Sequence, residues 1–378
     1  MDCKFLEHGL AIGYNGVVKP CCDWSFDQDY AELNHHTQID LSTWHQSIPI
    51  VNARQKLNNN QWPDSCRRCA KIEQQGRTDS TRGNAASAYK SYQGNDITLE
   101  IRPGSVCNFA CQTCWPEASS RVAQFYDRAG LIDIKTLDST AIEDFEFLTP
   151  IASRIKNIVL LGGEPFYDKN CLKFLNWATQ NLTANITMFT NGSSVDWHWV
   201  DNYAGKVTMV FSIDAVGRPA EYIRFGTEWD VVENNFRQAS EHSKVETRVN
   251  ITASVYNYYY IPDVIDLLIN RWPAVVSFGS PRDAYLLETT VPPQHRNTIV
   301  TRLQSTIDQL ETGNIESGQK SNAINALQSI INNLLAQPWN QTEYNKLSVF
   351  VNKMDQVKKI NVSDYVDFLS DMLAKQEV

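Results

Sequence analysis

Three cysteines lie close together in the stretch VCNFACQTCW: Cys107, Cys111 and Cys114. Thiolates are the usual ligands of structural zinc sites and of iron–sulfur clusters. Ligands that share a short loop also reach one site without the entropic cost of closing a long loop. The spacing Cys-x3-Cys-x2-Cys therefore predicts a metal centre with three protein thiolates, and it leaves a fourth ligand to be found.

The composition excludes several other classes of protein. The chain has 378 residues and a net charge of −9, and no basic run marks a surface for nucleic acid or for an anionic membrane. No apolar run has the length of a membrane-spanning helix, and the first residues do not resemble a secretory signal. We therefore expect a cytoplasmic protein, in which the nine cysteines are not a disulfide framework. The isolated Cys171, in an amphipathic helical pattern, is expected to be a small buried apolar residue.

Short β-like runs alternate with helical patterns through the middle of the chain, which is typical of βα units with a parallel sheet. Six units are too few for a closed eight-fold barrel, so the pattern favours an α/β fold with an open partial barrel or a doubly wound sheet. We expect three regions: a small N-terminal module, the six βα units, and a helical C-terminal region. Their predicted bounds are 1–95, 96–290 and 291–378. The predicted strands are 97–102, 157–163, 185–192, 207–214, 245–255 and 274–280.

Residues suited to ligand binding follow the first four of these strands. Chemistry in parallel α/β folds takes place at the carboxyl ends of the strands, on the loops that lead into helices. Glycine and Asn-Gly after a strand are usually only turns, but here the candidates coincide on one predicted rim. In strand order, they are Cys107, Cys111 and Cys114; Gly162, Gly163 and Glu164; Asn191 and Ser193; and Ser212 and Asp214.

The cysteine spacing together with Gly162-Gly163-Glu164 resembles the radical S-adenosylmethionine (SAM) enzymes. The resemblance implies a partial (βα)6 barrel and a [4Fe–4S] cluster on Cys107, Cys111 and Cys114. In that family SAM chelates the iron that lacks a protein ligand, and cleavage of SAM gives a 5′-deoxyadenosyl radical that abstracts hydrogen from a substrate. Zinc on these three cysteines is the alternative, although a structural zinc site normally has four protein ligands.

Further positions match the family's SAM-binding motifs. The resemblance implies that Gly162, Gly163 and Glu164 line the methionine end of SAM. Arg224, in EYIRFG, matches an arginine that pairs with the SAM carboxylate, and a guanidinium fork suits that task. The remaining matches are Asn191 and Ser193 at the ribose, and Ser212 and Asp214 at the next strand end. Asp214 as a turn cap and Arg224 as a surface ion pair are the alternatives. No acid or base for the reaction can be assigned.

The N-terminal region resembles the auxiliary-cluster module called SPASM, or its shorter form, twitch. The arrangement C-x12-G-x4-C followed by C-x2-C carries the resemblance. It implies a second [4Fe–4S] cluster, for electron transfer, on Cys3, Cys21, Cys66 and Cys69. A zinc site with four cysteines is the alternative. Cys22 either replaces Cys21 or is free.

The substrate is not fixed by the sequence. Enzymes with this module often modify peptide or protein side chains, and others act on sugars, nucleosides or small metabolites. The resemblance also implies an electron donor such as flavodoxin or ferredoxin. A non-catalytic iron–sulfur or zinc-binding protein is the alternative outside enzymes. We expect neither a membrane nor a nucleic acid as partner.

Overall fold

The computed structural model describes residues 1–25, 35–74, 80–83, 89–137, 141–272, 274–313 and 317–374. Its described residues divide into two compact units. Unit 1 comprises Met1–Ser105, Asp138–Met188 and Trp197–Val207, and unit 2 comprises Val106–Leu137, Phe189–Asp196 and Thr208–Val378. No helix among the described residues is both long and apolar enough to cross a membrane.

Unit 1 is built on parallel strands that read β6-β5-β3-β1-β2 across the sheet, where only β1 and β2 pair antiparallel. The alternating burial along β3 follows its sequence ITLEI, in which Ile97, Leu99 and Ile101 are fully buried. Its strands are β1 (Gly9–Ile12), β2 (Val18–Lys19), β3 (Ile97–Ile101), β5 (Ile155–Leu160) and the first part of β6 (Asn185–Thr190). Its helices are α1 (Phe5–His8), α2 (Ile48–Asn58), α3 (Arg67–Gln74), α5 (Lys169–Asn181) and α6 (Trp197–Asn202).

Unit 2 holds the strand order β10-β9-β7 and a separate two-stranded ladder of β4 with β8. The first five residues of β7 are buried, as its mainly apolar sequence VTMVFS predicts. The strands are β4 (Ala110–Cys111), β7 (Val207–Ser212), β8 (Arg224–Phe225), β9 (Val245–Thr252) and β10 (Val275–Gly279). The helices are α4 (Ser120–Arg128), α7 (Arg218–Ile223), α8 (Trp229–Glu241), α9 (Ile261–Asn270), α10 (Pro293–Thr312), α11 (Ser317–Ala336), α12 (Gln341–Lys358) and α13 (Asp367–Ala374).

The α/β fold class predicted from the sequence is confirmed. All six predicted strands occur within a few residues of their expected bounds, each followed by helical structure, and the C-terminal region is helical. Two features were not predicted. The N-terminal region contributes β1, which pairs parallel with β3. The pairing of β4 with β8 involves only two residues of each strand, which is too short for a periodic sequence pattern to predict it. The division into three regions at residues 95 and 290 stays a prediction.

A small apolar cluster lies next to the cysteine-bearing loop of unit 2. Its buried members come from β4, α4 and α12: Ala110, Val122, Phe125, Phe350 and Met354. Cys114 packs against this cluster. The side-chain packing of α4 and α12 therefore supports the third cysteine directly.

Candidate functional site

The loop with the three cysteines is held in place by the β4–β8 ladder. In this antiparallel pair Cys111 is the register partner of Arg224, and Ala110 is the partner of Phe225. The ladder continues as the amide of Gln112 donates to the carbonyl of Ile223 at 2.7 Å. A segment more than a hundred residues downstream thus fixes the backbone of the second cysteine.

The three thiols lie close enough to affect one another. Burial, and then negative charge at Cys111 and Cys107, raise the pKa of Cys114 to about 12. Burial also raises the pKa of Cys111, while the guanidinium of Arg224 acts in the opposite direction. Iron bound beside these thiols would supply positive charge that favours their ionised, ligating form.

The donor set fits an iron–sulfur cluster. Among the residues that the structure describes, no three Cys, His, Asp or Glu side chains are arranged around a single metal ion. In a [4Fe–4S] cluster each thiolate binds a different iron, so the sulfur atoms need only surround a larger group. One loop, held in place by the β4–β8 ladder, supplies three thiolates, from Cys107, Cys111 and Cys114. This number matches a cluster with one iron left for another ligand.

Two residues assigned by resemblance to the ribose region contact the cysteine loop. The Asn191 side-chain amide donates to Asn108 Oδ1 at 2.8 Å and approaches the Cys107 sulfur at 3.8 Å. Asn108 in turn donates to Ser193 Oγ at 2.9 Å, and the Ser193 amide donates to Asn191 Oδ1 at 2.9 Å. The structure therefore brings Asn191 and Ser193 together with the first cysteine.

Asp214 and Arg224 form a buried ion pair. Arg224 Nη1 donates to Asp214 Oδ2 at 2.8 Å, and the Asp214 side chain is fully buried. Asp214 Oδ1 also accepts from the amide of Thr252 at 2.7 Å, and its backbone carbonyl accepts from Asn257 at 3.0 Å. Asp214 is thus more than a turn cap, and Arg224 is not part of a surface ion pair. Ser212, at the end of β7, is half-buried two residues before Asp214.

Buried polar atoms beside the cysteines have no partner within the described part of the chain. Arg224 Nε is one of them, and both side-chain amide atoms of Gln112 are the others. Burial would lower the pKa of Arg224, but negative charge at Cys111 and Asp214 outweighs it and raises that pKa. Arg224 is therefore a charged group with a spare donor next to the second cysteine, which suits the binding of a carboxylate. Gln112 was not among the site residues predicted from the sequence.

Lys358 is a second residue that the sequence analysis missed. It ends α12, is only 6% exposed, and donates from Nζ to the carbonyl of Ala110 at 2.9 Å. Burial lowers the pKa of Lys358 to about 7, whereas negative charge at Cys111 acts in the opposite direction. The sequence offered one indication of its burial, which is the spacing of residues along α12. Phe350, Met354 and Lys358 follow one another four residues apart on a helix face that is otherwise apolar.

The Gly-Gly-Glu motif lies in unit 1, after β5. Gly162 has φ of +151°, and a Cβ there would lie 2.9 Å from the carbonyl oxygen of Gly104. A side chain at this position would thus push apart the loops that follow β3 and β5. Glu164 is fully buried, and its carbonyl accepts from the amides of Tyr167 and Asp168 at 3.0 and 2.8 Å. Gly163 lies between them and is half-buried.

Cys171 is fully buried, as predicted for a small apolar residue.

Four cysteines of unit 1 line one small cavity of about 20 Å³: Cys3, Cys21, Cys66 and Cys69. Cys22 does not line it and is exposed, so the geometry favours Cys21 over its neighbour as a ligand. Burial, and then charge at Cys3 and Cys69, raise the pKa of Cys66 to about 12. Four thiolates match the ligand sets of a zinc site and of a cluster alike, and a cubane would require these side chains to turn outward.

A large open cleft of about 830 Å³ lies in unit 2. Trp115, the residue after the third cysteine, lies on its wall beneath the guanidinium of Arg282, which is 3.7 Å from the ring centroid. Tyr126, Tyr285 and Phe350 also line the cleft and pack with the apolar cluster that contacts Cys114. The cleft therefore has an aromatic lining that adjoins the cysteine loop.

Three solved structures illustrate what this chain is similar to in fold. The structure of anSMEcpe with bound AdoMet is 18% identical over 58% of this chain and 63% of that protein, with a TM-score of 0.41. SuiB from Streptococcus suis, bound to the precursor peptide SuiA, is 13% identical over 80% of this chain and 69% of that protein, with a TM-score of 0.38. TYW1 with a lysine-pyruvate adduct bound is 16% identical over 56% and 73%, with a TM-score of 0.33. All three are radical SAM enzymes.

At these identities and TM-scores the likeness is one of fold, and the chain spans less than two thirds of the length of anSMEcpe. No protein-family model and no curated protein matches the sequence. The roles proposed below therefore rest on this chain's own residues.

Proposed function

We propose that the protein is a radical SAM enzyme with Cys107, Cys111 and Cys114 as the ligands of its [4Fe–4S] cluster. The observation that carries the proposal is the β4–β8 ladder, which sets Cys111 opposite Arg224. A thiolate triad and a guanidinium with an unused Nε donor thereby share one small site. A redox carrier without SAM chemistry needs the thiolates but has no use for a carboxylate-binding arginine beside them.

The bound cluster and SAM supply the chemistry. With one electron from a donor such as flavodoxin or ferredoxin, they would provide radical chemistry that removes a hydrogen atom from the substrate and leaves methionine and 5′-deoxyadenosine as products. Arg224 orients the SAM carboxylate, and Asp214 holds the guanidinium in position through the 2.8 Å ion pair. Asn191, Ser193 and Ser212 contribute polar groups at the SAM site, and Gly162, Gly163 and Glu164 receive the methionine end.

The N-terminal thiols form a second metal site in this proposal. A [4Fe–4S] cluster on Cys3, Cys21, Cys66 and Cys69 has every iron ligated, so it transfers electrons without binding SAM. Burial raises the pKa of Cys3 to about 11, against the backbone hydrogen bonds of Phe5 and Leu6 and, as the smallest effect, the guanidinium of Arg82. A cation beside these thiols favours their ionised, ligating form.

We propose a peptide or protein side chain as the substrate, bound in the cleft lined by Trp115, Tyr126 and Tyr285. An open cleft of about 830 Å³ accommodates several side chains of an extended segment. Its aromatic lining suits apolar side chains, while the exposed Glu117 adds an acidic group at the same cleft. A small metabolite is the alternative substrate class.

The test is anaerobic reconstitution with iron and sulfide, followed by incubation with SAM and dithionite. We expect a brown protein that forms 5′-deoxyadenosine and methionine in equal amounts, faster when the peptide fraction of a cell extract is added. Stimulation by the small-metabolite fraction alone would replace the peptide with the alternative class. A brown protein that forms no 5′-deoxyadenosine would be an iron–sulfur carrier, and a colourless, zinc-loaded one would contradict the proposal entirely.

A further inference from the structure

Lys358 connects the C-terminal helix α12 to the cysteine loop. Its ammonium donates to the carbonyl of Ala110 at 2.9 Å, and Ala110 directly precedes Cys111. The contact joins positions 248 residues apart in the sequence. No role in the proposed reaction has so far been given to this lysine.

The surroundings of Lys358 are apolar on two sides. Its Nζ lies 5.2 Å from the ring centroid of Phe225 and 5.9 Å from that of Phe125. The residue is only 6% exposed, so water reaches the ammonium poorly. Placing a charge in such surroundings is unfavourable unless an opposite charge compensates it.

One acidic side chain, Asp355, acts on Lys358 from the same helix without forming an ion pair with it within 4 Å. Asp355, one turn earlier on α12, already accepts from the Tyr222 hydroxyl and from the Val362 amide, both at 2.8 Å. In the part of the chain that the structure describes, Lys358 makes no ion pair within 4 Å. Arg121, which donates to the carbonyl of Asn108, is a second cation and adds to the need for negative charge.

Lys358 Nζ contacts the residue that directly precedes the second cysteine, so a cluster bound there would bring negative charge close to the ammonium. Three thiolates outweigh the charge of a cubane core, so the assembled centre is an anion, and each added electron makes it more negative. Because this step takes Cys107, Cys111 and Cys114 as cluster ligands, it rests on the proposed function. We propose that Lys358 is the counter-cation of this cluster, which favours its reduced state and fastens α12 to the cluster loop.

Arg224 cannot fill the same role. Its Nη1 is committed to the carboxylate of Asp214, which neutralises the guanidinium within a buried pair. Lys358 is a buried cation beside the loop that makes no ion pair within 4 Å among the described residues, and it is a positioning residue rather than a catalytic one.

The test is an EPR-monitored redox titration of the reconstituted full-length protein without SAM. The relevant cluster is identified first as the reduced signal that changes when SAM is added. Lys358→Met should lower the ratio of reduced to oxidised cluster about tenfold or more at the wild-type midpoint, equivalent to a shift of about 59 mV or more. Lys358→Arg, which keeps the charge, should stay within about threefold of wild type. Lys353→Met, at a half-exposed lysine of the same helix, should match wild type.

An unchanged midpoint in Lys358→Met with full iron content would overturn the proposal. Should that variant lose its iron, Lys358→Gln, which can still donate to Ala110, takes its place. Loss of the cluster from both Lys358→Met and Lys358→Gln, but not from Lys358→Arg, also supports a role for the positive charge. Loss of the cluster from all three variants would show that Lys358 acts through packing and would overturn the proposal. A reducible cluster with the predicted shift but no 5′-deoxyadenosine would contradict the proposed function alone. No reducible cluster on the three cysteines in the wild-type protein would overturn both.

Discussion

Cys111 and Arg224 face each other as register partners in a ladder of only two residues per strand. One partner belongs to the cysteine motif and the other to the segment EYIRFG, so two separate sequence motifs meet through backbone hydrogen bonds. The ladder fixes the guanidinium beside the thiol whichever ligand binds there. The backbone structure thus joins the proposed metal site to the proposed carboxylate site.

Replacement of Cys107, Cys111 and Cys114 together by Ala should reduce SAM cleavage to the background without protein. The three thiols are the proposed ligands of the cluster that binds SAM. Liquid chromatography of 5′-deoxyadenosine measures the loss, and far-UV circular dichroism checks the fold. The matched control is Cys22→Ala, since Cys22 is exposed and lies outside both thiol groups. Cleavage by the triple variant at the rate of the control would contradict the assignment.

The same triple variant reports on the N-terminal metal. We expect it to remain brown with about four irons per chain, because Cys3, Cys21, Cys66 and Cys69 saturate a cubane. Elemental analysis should then show a further loss of iron when Cys21→Ala is added, but not when Cys22→Ala is added. About one zinc and no iron in the triple variant would establish the structural alternative for this site.

Arg224→Met should lower the free energy of unfolding by about 3–5 kcal/mol, since it leaves the Asp214 carboxylate buried without its cation. The double variant with Asp214→Asn should be less destabilised than additivity predicts, because the unpaired charge is then absent. Urea unfolding monitored by tryptophan fluorescence measures both. An additive double variant would show that the two side chains are not energetically coupled.

Arg224→Lys separates the SAM contact from stability. Lysine keeps the charge beside Asp214 but lacks Nε, the atom with no partner among the described residues. The loss of one charge-assisted hydrogen bond corresponds to about tenfold weaker SAM binding. Isothermal titration of SAM into the anaerobic holoprotein checks this, and wild-type affinity would leave Arg224 with its ion-pair role only.

His45 should make stability depend on pH. It is 8% exposed, its Nε2 lies 2.9 Å from the Gly9 carbonyl, and burial lowers its pKa to about 4 from an ordinary value of 6.5. Above pH 6.5 the His45 imidazole is neutral in both the folded and the unfolded chain. As the pH falls below it, only the unfolded chain binds the proton, so stability is lost, by about 2 kcal/mol at pH 5. His45→Gln should reduce this loss of unfolding free energy between pH 7 and pH 5, as measured by urea unfolding. His198→Gln, at an exposed histidine, should not reduce it.

Val349→Glu should weaken the response to substrate. Val349 is 56% exposed on the wall of the cleft, where a carboxylate disfavours apolar side chains. We expect substrate-stimulated formation of 5′-deoxyadenosine to fall while the rate without substrate is unchanged. Leu335→Glu is the control, since Leu335 is 62% exposed on α11 and does not line the cleft. Equal stimulation of both variants would place the substrate elsewhere.

Strands and helices with a regular pattern of apolar residues could be predicted from the sequence, whereas single contacts between distant residues could not. The six strands and their helices follow from runs of apolar residues such as NIVLLGG and VTMVFS. The cysteine triad was recognisable because its three members share one loop. Arg224 was found through its neighbours in sequence, but its ion pair with Asp214 depends on where two chain segments meet. Lys358 gave only a weak signal, a charged residue on an apolar helix face, and its partner lies 248 residues away.

The contact between Lys358 and Ala110 also bears on how the protein is made. Ribosomes add about 5–20 residues per second, so Ala110 is synthesised roughly 12–50 seconds before Lys358, which lies 248 residues later. For that interval the nascent chain presents its three cysteine thiols without the lysine or the helix that covers them. Iron loaded during translation would meet an unfinished, air-exposed site. The contact that joins α12 to the cysteine loop can therefore form only late in synthesis, after almost the whole chain has been made.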